Sequence, residues 1–211
     1  MPPRKPATTR RSRTDHHAAQ RHLAKSDPHL ARVIRKYGPC PLARKRGGFA
    51  ILCRMIVFQQ LSGKAATTIF NRFCNLSPRK KPTAISVGKQ TDKQLREVGL
   101  SRQKIAYLRD LTRTVAEKKL VFERLGKLSD EQVIEQLTQV KGIGQWTAEM
   151  YLIFVLGRPD VFSAGDLGIR TAVQKLYRLD HKKTDYQKFS ERWAPYRSVA
   201  CWYLWRSLEN R

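Results

Sequence analysis

The apolar positions of this chain recur mostly at spacings of three and four, the signature of helices with one buried face. Leu30, Val33 and Ile34 follow Pro28, which suits a first helical turn, and Gly38-Pro39 ends that pattern. The stretch GGFAILCRMIVFQQLSGKAATTIFNRFC predicts two helices broken near Ser62-Gly63. The first is almost wholly apolar and therefore central. Ile105, Leu108, Leu111 and Val115 share one face of a long helix that Ser101 caps. Thr91 with Gln94, Ser129 with Gln132, and Thr184 with Gln187 have the spacing of capping boxes. SPRKKPT, residues 77–83, reads as a basic loop. With few strand signals and no internal repeat, the pattern predicts one all-α domain over residues 15–211, preceded by a disordered arm at 1–14 rich in Pro, Arg, Ser and Thr.

Composition narrows the function. At 211 residues and 41% apolar, the chain can bury a core, and no apolar run reaches the ~18 residues of a membrane span. The N-terminus is basic but has no apolar stretch of the kind a secretory signal needs. A net charge of +25 is costly in self-repulsion and points to a polyanionic partner, with nucleic acid first. The first 25 residues account for +6 of it and leave +19 for everything after, so the charge belongs mainly to the folded part. Cys40, Cys53, Cys74 and Cys201 have no zinc or iron-sulfur spacing, which predicts a reduced, intracellular protein. The five histidines are scattered and read as solvated surface.

Two stretches carry chemistry. VKGIGQWTAEM, residues 140–150, predicts a helical hairpin: Val133, Ile134 and Leu137 face inward before a Gly-Ile-Gly turn, and a second helix starts near Gln145 or Trp146. Glycine allows a tight turn and close approach, and the N-terminus of the second helix favours an anion, here a DNA phosphate. FSAGDLGIRTAV, residues 162–173, places Asp166 between glycines at the start of a helix, where the dipole favours a negative charge. Read from these residues alone, Asp166 is a helix N-cap.

VKGIGQWTAEM, GRPDVFSAGDLGI, WAPYRSVACWYLW and IVFQQLSGKAA together resemble the helix-hairpin-helix DNA glycosylases with a Gly/Pro-rich loop and an aspartate, most closely the DNA-3-methyladenine glycosylase II branch in its compact form. The similarity runs over about residues 20–211. It implies two helical lobes with an active-site cleft between them and a hairpin that grips the DNA backbone through Lys141, Gly142, Ile143 and Gly144. It implies that Asp166 is the catalytic carboxylate and that Trp146 and Trp205 line a pocket for a flipped base. Tyr203, Trp202, Trp193 and Tyr196 are further candidates, with core packing favoured for Trp193 and Trp202. Gln60, with Leu61, is expected to enter the duplex where the base leaves; the alternative is that Gln59-Gln60 simply ends a helix.

The expected reaction is hydrolysis of the N-glycosidic bond of alkylated purines (3-methyladenine, 7-methylguanine) in double-stranded DNA. Strand cleavage is not expected, because Trp146 stands where lyase members have a lysine. The electron-rich pocket suits a cationic base. No organic cofactor is implied; a monovalent cation on the hairpin carbonyls of Val140 and Gly142 is the sole metal considered. The protein is expected to be a monomer, DNA-associated in a bacterial cytoplasm or nucleoid or a eukaryotic nucleus. Two alternatives stay open: a glycosylase for deaminated or mismatched bases (uracil, thymine, hypoxanthine), and a non-catalytic DNA-binding module. The sequence departs from the family pattern at Ser163-Ala164-Gly165, which lacks the proline frequent after Phe162 and has Gly165 where some members have an acidic residue.

Overall fold

The computed structural model describes residues 14–43, 45 and 47–209. In chain order its helices are α1 (Thr14–Ser26), α2 (Pro28–Tyr37), α3 (Gly48–Phe58), α4 (Gly63–Asn75), α5 (Ala84–Gly88), α6 (Asp92–Glu97), α7 (Arg102–Ala116), α8 (Phe122–Leu125), α9 (Asp130–Thr138), α10 (Gln145–Tyr151), α11 (Leu167–Tyr177), α12 (Tyr186–Ser190) and α13 (Arg197–Ser207). A π turn, Leu152–Leu156, extends α10. Among the described residues there is no strand, as the periodicity predicts, and no helix is long and apolar enough to cross a membrane. The expected arm at 1–14 lies outside the described residues except for Thr14, the first residue of α1.

The chain divides into two compact units, one from residues up to 44 and from 157 onward, the other from residues 45–156. In the second unit the apolar α3 is the core element: Leu52, Cys53, Ile56 and Val57 are fully enclosed. The break after it spans 59–62 rather than a single point. α7 turns Ile105, Leu108 and Leu111 inward, and the Ser101 hydroxyl accepts the Lys104 N–H as its cap. The boxes at Thr91/Gln94 and Ser129/Gln132 form as expected.

The third box does not form. α12 is capped one residue later, by Asp185 accepting the Lys188 N–H, while the Thr184 hydroxyl donates back to the Asp180 carbonyl. A carboxylate outcompetes a hydroxyl that already has a closer acceptor. The basic loop at 77–83 includes a 3-10 turn in which Arg79 and Lys80 are both left-handed, at φ 54° and 53°.

In the first unit, Asp27 is 2% exposed and caps α2 through the N–H groups of His29 and Leu30; its other oxygen accepts the Tyr177 hydroxyl and the Trp193 indole N–H. Asp27 thus organises the core of this unit. α13 runs through that core, with Ser198 to Leu204 all buried.

Candidate hairpin interface and carboxylate site

The hairpin of the second unit joins α9, which buries Val133 and Leu137, to α10. Gly142 has φ +81°, and a Cβ there would collide with the Tyr107 ring of α7, so both backbone and space require glycine. Ile143 plugs into the unit at 3% exposure, leaving Lys141 and Gly144 on the surface. Gly144 is the N-cap of α10 and has no side-chain oxygen to offer the first turn.

Two side chains from elsewhere hold the turn. Asp110 of α7 accepts the Lys141 backbone N–H on Oδ2 at 2.9 Å and the Arg113 guanidinium on Oδ1. Burial alone would raise the Asp110 carboxyl, but the Lys141 N–H and Arg113 hold it below the usual carboxylate range. Gln59, from the loop after α3, donates its Nε2–H to the Gly142 carbonyl at 2.8 Å. Neither tie has a local sequence signal, since the partners are 31 and 83 residues apart.

The same loop carries Gln60 and Leu61. Gln60 is exposed with φ +55°, and Leu61 is 39% exposed. Behind them Lys104 donates Nζ–H to the Val57 carbonyl at 2.7 Å, and burial lowers its ammonium pKa. Trp146, in the first turn of α10, is half exposed at 50%. Of the two carbonyls considered for a cation, Val140 O accepts the Ile143 N–H and Gly142 O accepts Gln59. Each already accepts a hydrogen bond. Among the described residues no group of three or more His, Cys, Asp or Glu side chains could hold a metal.

The carboxylate site lies in the first unit. Asp166 is the N-cap of α11: its Oδ1 accepts the Ile169 N–H at 2.7 Å and the Trp205 indole N–H at 2.9 Å. The side chain is 7% exposed. A Cβ at Gly168 would stand 3.1 Å from both Asp166 Oδ1 and the Trp205 ring, so this glycine gives the indole room to reach the carboxylate.

The loop before Asp166 is fastened to α13 at its other end as well. Asp160 takes both Nε and Nη2 of Arg197 at 2.8 Å, and the Ser198 hydroxyl accepts the Val161 N–H. The Asp166 N–H itself closes a turn on the Ser163 carbonyl. A loop without the frequent proline is therefore rigid through these bonds. Two cavities, of about 390 and 370 Å³, lie elsewhere in this unit, around His29–Tyr177 and His16–Cys40; neither is lined by Asp166.

The remaining aromatics separate. Trp193 is fully enclosed and Trp202 is 9% exposed, in keeping with core packing. Tyr196 is half-buried, its ring edge-on to His22. Tyr203 corrects an expectation. It is wholly buried, with its hydroxyl donating to the Gly38 carbonyl and accepting from Gln20, so it belongs to the core and not to a pocket wall. Tyr203 and Trp205 are two positions apart on one helix, about 200° around it, and cannot both face one cavity.

A glycine hairpin with an exposed cation, and a buried carboxylate held by an indole at a helix start, are features of a helix-hairpin-helix DNA repair protein. Residues 53–196 match the family described as HhH-GPD superfamily base excision DNA repair protein, and the chain belongs to that family. It is 38% identical over 196 residues to DNA-3-methyladenine glycosylase 1 of Schizosaccharomyces pombe, covering 90% of this chain and 86% of the relative. The fold matches a crystal structure of DNA-3-methyladenine glycosidase from Bacillus halodurans with TM-score 0.79 and 38% identity, over 89% and 87% of the two chains. It also matches S. pombe 3-methyladenine DNA glycosylase (Mag1) in complex with abasic DNA, with TM-score 0.78 and 37% identity, over 89% and 95%.

Proposed function

We propose that this protein is a monofunctional DNA glycosylase that releases alkylated purines, 3-methyladenine and 7-methylguanine, from double-stranded DNA and leaves an abasic site. The observation that carries the reading is the Asp166 carboxylate, fixed by two N–H donors to one oxygen. Cleaving an N-glycosidic bond develops positive charge on the deoxyribose as the base departs. A carboxylate whose position is set before the reaction stabilises that charge without reorganising, and it can orient the attacking water. Asp166 is both cap and catalytic residue, since capping is what fixes it. An N3- or N7-alkylated purine is already cationic and leaves without prior protonation, so the site needs no general acid for the base.

Trp146 offers an aromatic face to such a base and no amine, which excludes a Schiff base from that position. The hairpin, with Lys141 on its surface, is the phosphate grip, and Gln60 with Leu61 is the segment that fills the duplex when the nucleotide leaves. The protein acts as a monomer inside the cell, on chromosomal DNA.

The test is a panel of duplexes, each with one lesion, followed by alkali to cut abasic sites. Release of 3-methyladenine and 7-methylguanine, with strands intact until alkali is added, supports the reading. Release of uracil, thymine or hypoxanthine with none of the alkylated purines overturns the substrate class. No release from any duplex, with DNA binding retained, makes the protein a binding module.

A further inference from the structure

We propose that Gln59 is a positioning residue that couples the duplex-entering loop to the hairpin, so that gripping the phosphate and extruding the base occur as one event; this rests on the glycosylase reading. The loop 59–62 has little to hold it by local structure. Gln59 has extended backbone, Gln60 is left-handed, and Gln60, Leu61 and Ser62 are all exposed. A left-handed glutamine is strained and persists only where the surroundings hold it.

Two long-range bonds do so. Lys104 Nζ holds the Val57 carbonyl just before the loop, and Gln59 Nε2 holds the Gly142 carbonyl across 83 residues of sequence. At Gly142 the Tyr107 ring of α7 packs against the backbone and φ is positive, so only glycine fits there. The loop is thus tied to the point of the hairpin that packs against α7. The hairpin in turn is fixed to α7 by Asp110 on the adjacent Lys141 N–H.

The consequence is mechanical. Extruding a nucleotide costs stacking energy, and a side chain that takes its place lowers that cost only if it is held in register with the backbone. A loop free to swing spends part of its contact energy on being ordered. The Gln59–Gly142 bond sets the register before DNA arrives. Its donor is an uncharged amide, so it holds regardless of salt, unlike cation–phosphate contacts in general.

The experiment compares wild type with Gln59→Met, which keeps length and lacks the N–H. Three readouts are taken: thermal midpoint, fluorescence of 2-aminopurine placed beside a 7-methylguanine, and single-turnover release from a paired duplex and from one with the lesion in a bulge. The expected result is a midpoint lower by no more than about 2–4 °C, with both the 2-aminopurine rise and the rate on the paired duplex reduced by about 5- to 10-fold, the scale of one lost hydrogen bond. On the bulged duplex, where little unstacking is needed, the rate should recover to within about twofold. Gln59→Asn, too short to reach Gly142, should behave like Gln59→Met. Equal loss on both duplexes, or no loss on the paired one, overturns the proposal. If wild type itself releases no base, the glycosylase reading fails, while the 2-aminopurine comparison still tests the coupling.

Discussion

Replacing Asp166 with Asn separates its cap from the electrostatic role proposed for it. In the protein one carboxylate oxygen accepts both the Ile169 N–H and the Trp205 indole N–H. The amide oxygen of Asn can accept the same two bonds, and Asn caps a helix about as well as Asp, so fold and loop geometry survive. What disappears is the charge. At roughly 4 Å from a sugar cation and an effective dielectric of about 20, a unit pair is worth ~4 kcal/mol; a transition state with most of that charge loses about 3 kcal/mol. That is on the order of 10² in rate. Single-turnover release of 7-methylguanine, measured beside affinity for an abasic-site duplex, checks it. The expected outcome is a 10²-fold or greater fall in rate with affinity within threefold of wild type. A rate within about tenfold of wild type, at equal affinity, would refute the electrostatic role and leave Asp166 as a cap alone.

Three further substitutions probe the supporting structure. Trp205→Phe removes the indole donor while keeping most of the ring; release should slow by roughly tenfold with DNA affinity within twofold, the loss of one hydrogen bond to a charged acceptor. Tyr203→Phe strips the hydroxyl shared by Gly38 O and Gln20, and should cost about 2 kcal/mol, seen as a melting point lower by about 4–8 °C at near-normal kcat. A large kcat loss there would restore Tyr203 to the pocket. Asp110→Asn should destabilise the protein by about 2 kcal/mol at neutral pH. Because the folded Asp110 carboxyl lies below its ordinary value near 3.8, its contribution is complete above that value and fades as pH falls through the folded one. The wild-type advantage over Asp110→Asn in urea midpoint should therefore be full at pH 7 and shrink below about pH 4.

How much of this was legible beforehand follows from the range of the interactions. Helix positions and most caps are local, written within four residues, and Thr91/Gln94, Ser129/Gln132 and Ser101 stand where the sequence puts them. The Thr184 box fails at the same range because Asp185, one residue on, is the stronger acceptor. Asp166 and the hairpin were visible through motif and resemblance. Their supports were not: Trp205 lies 39 residues from Asp166, Arg197 37 from Asp160, and Asp110 31 from Lys141. No periodicity joins residues so far apart. Tyr203 is different, since its two-residue offset from Trp205 on a helix already held the answer.

These supports share a design that bears on the departures at Ser163-Ala164-Gly165. A proline stiffens a loop by restricting its own backbone, acting on the unfolded chain as much as the folded one. Here the same loop is fixed instead by α13, which holds Asp160 through Arg197, Val161 through Ser198, and Asp166 through Trp205. Three attachments to one rigid helix locate the carboxylate more closely than one restricted dihedral would. They also place that duty on an element whose segment Ser198–Leu204 is wholly buried, so a core substitution in α13 acts on Asp166 through the loop. The hairpin follows the same rule in the other unit, with Asp110, Tyr107 and Gln59 setting a turn whose own residues are mostly glycine and cation.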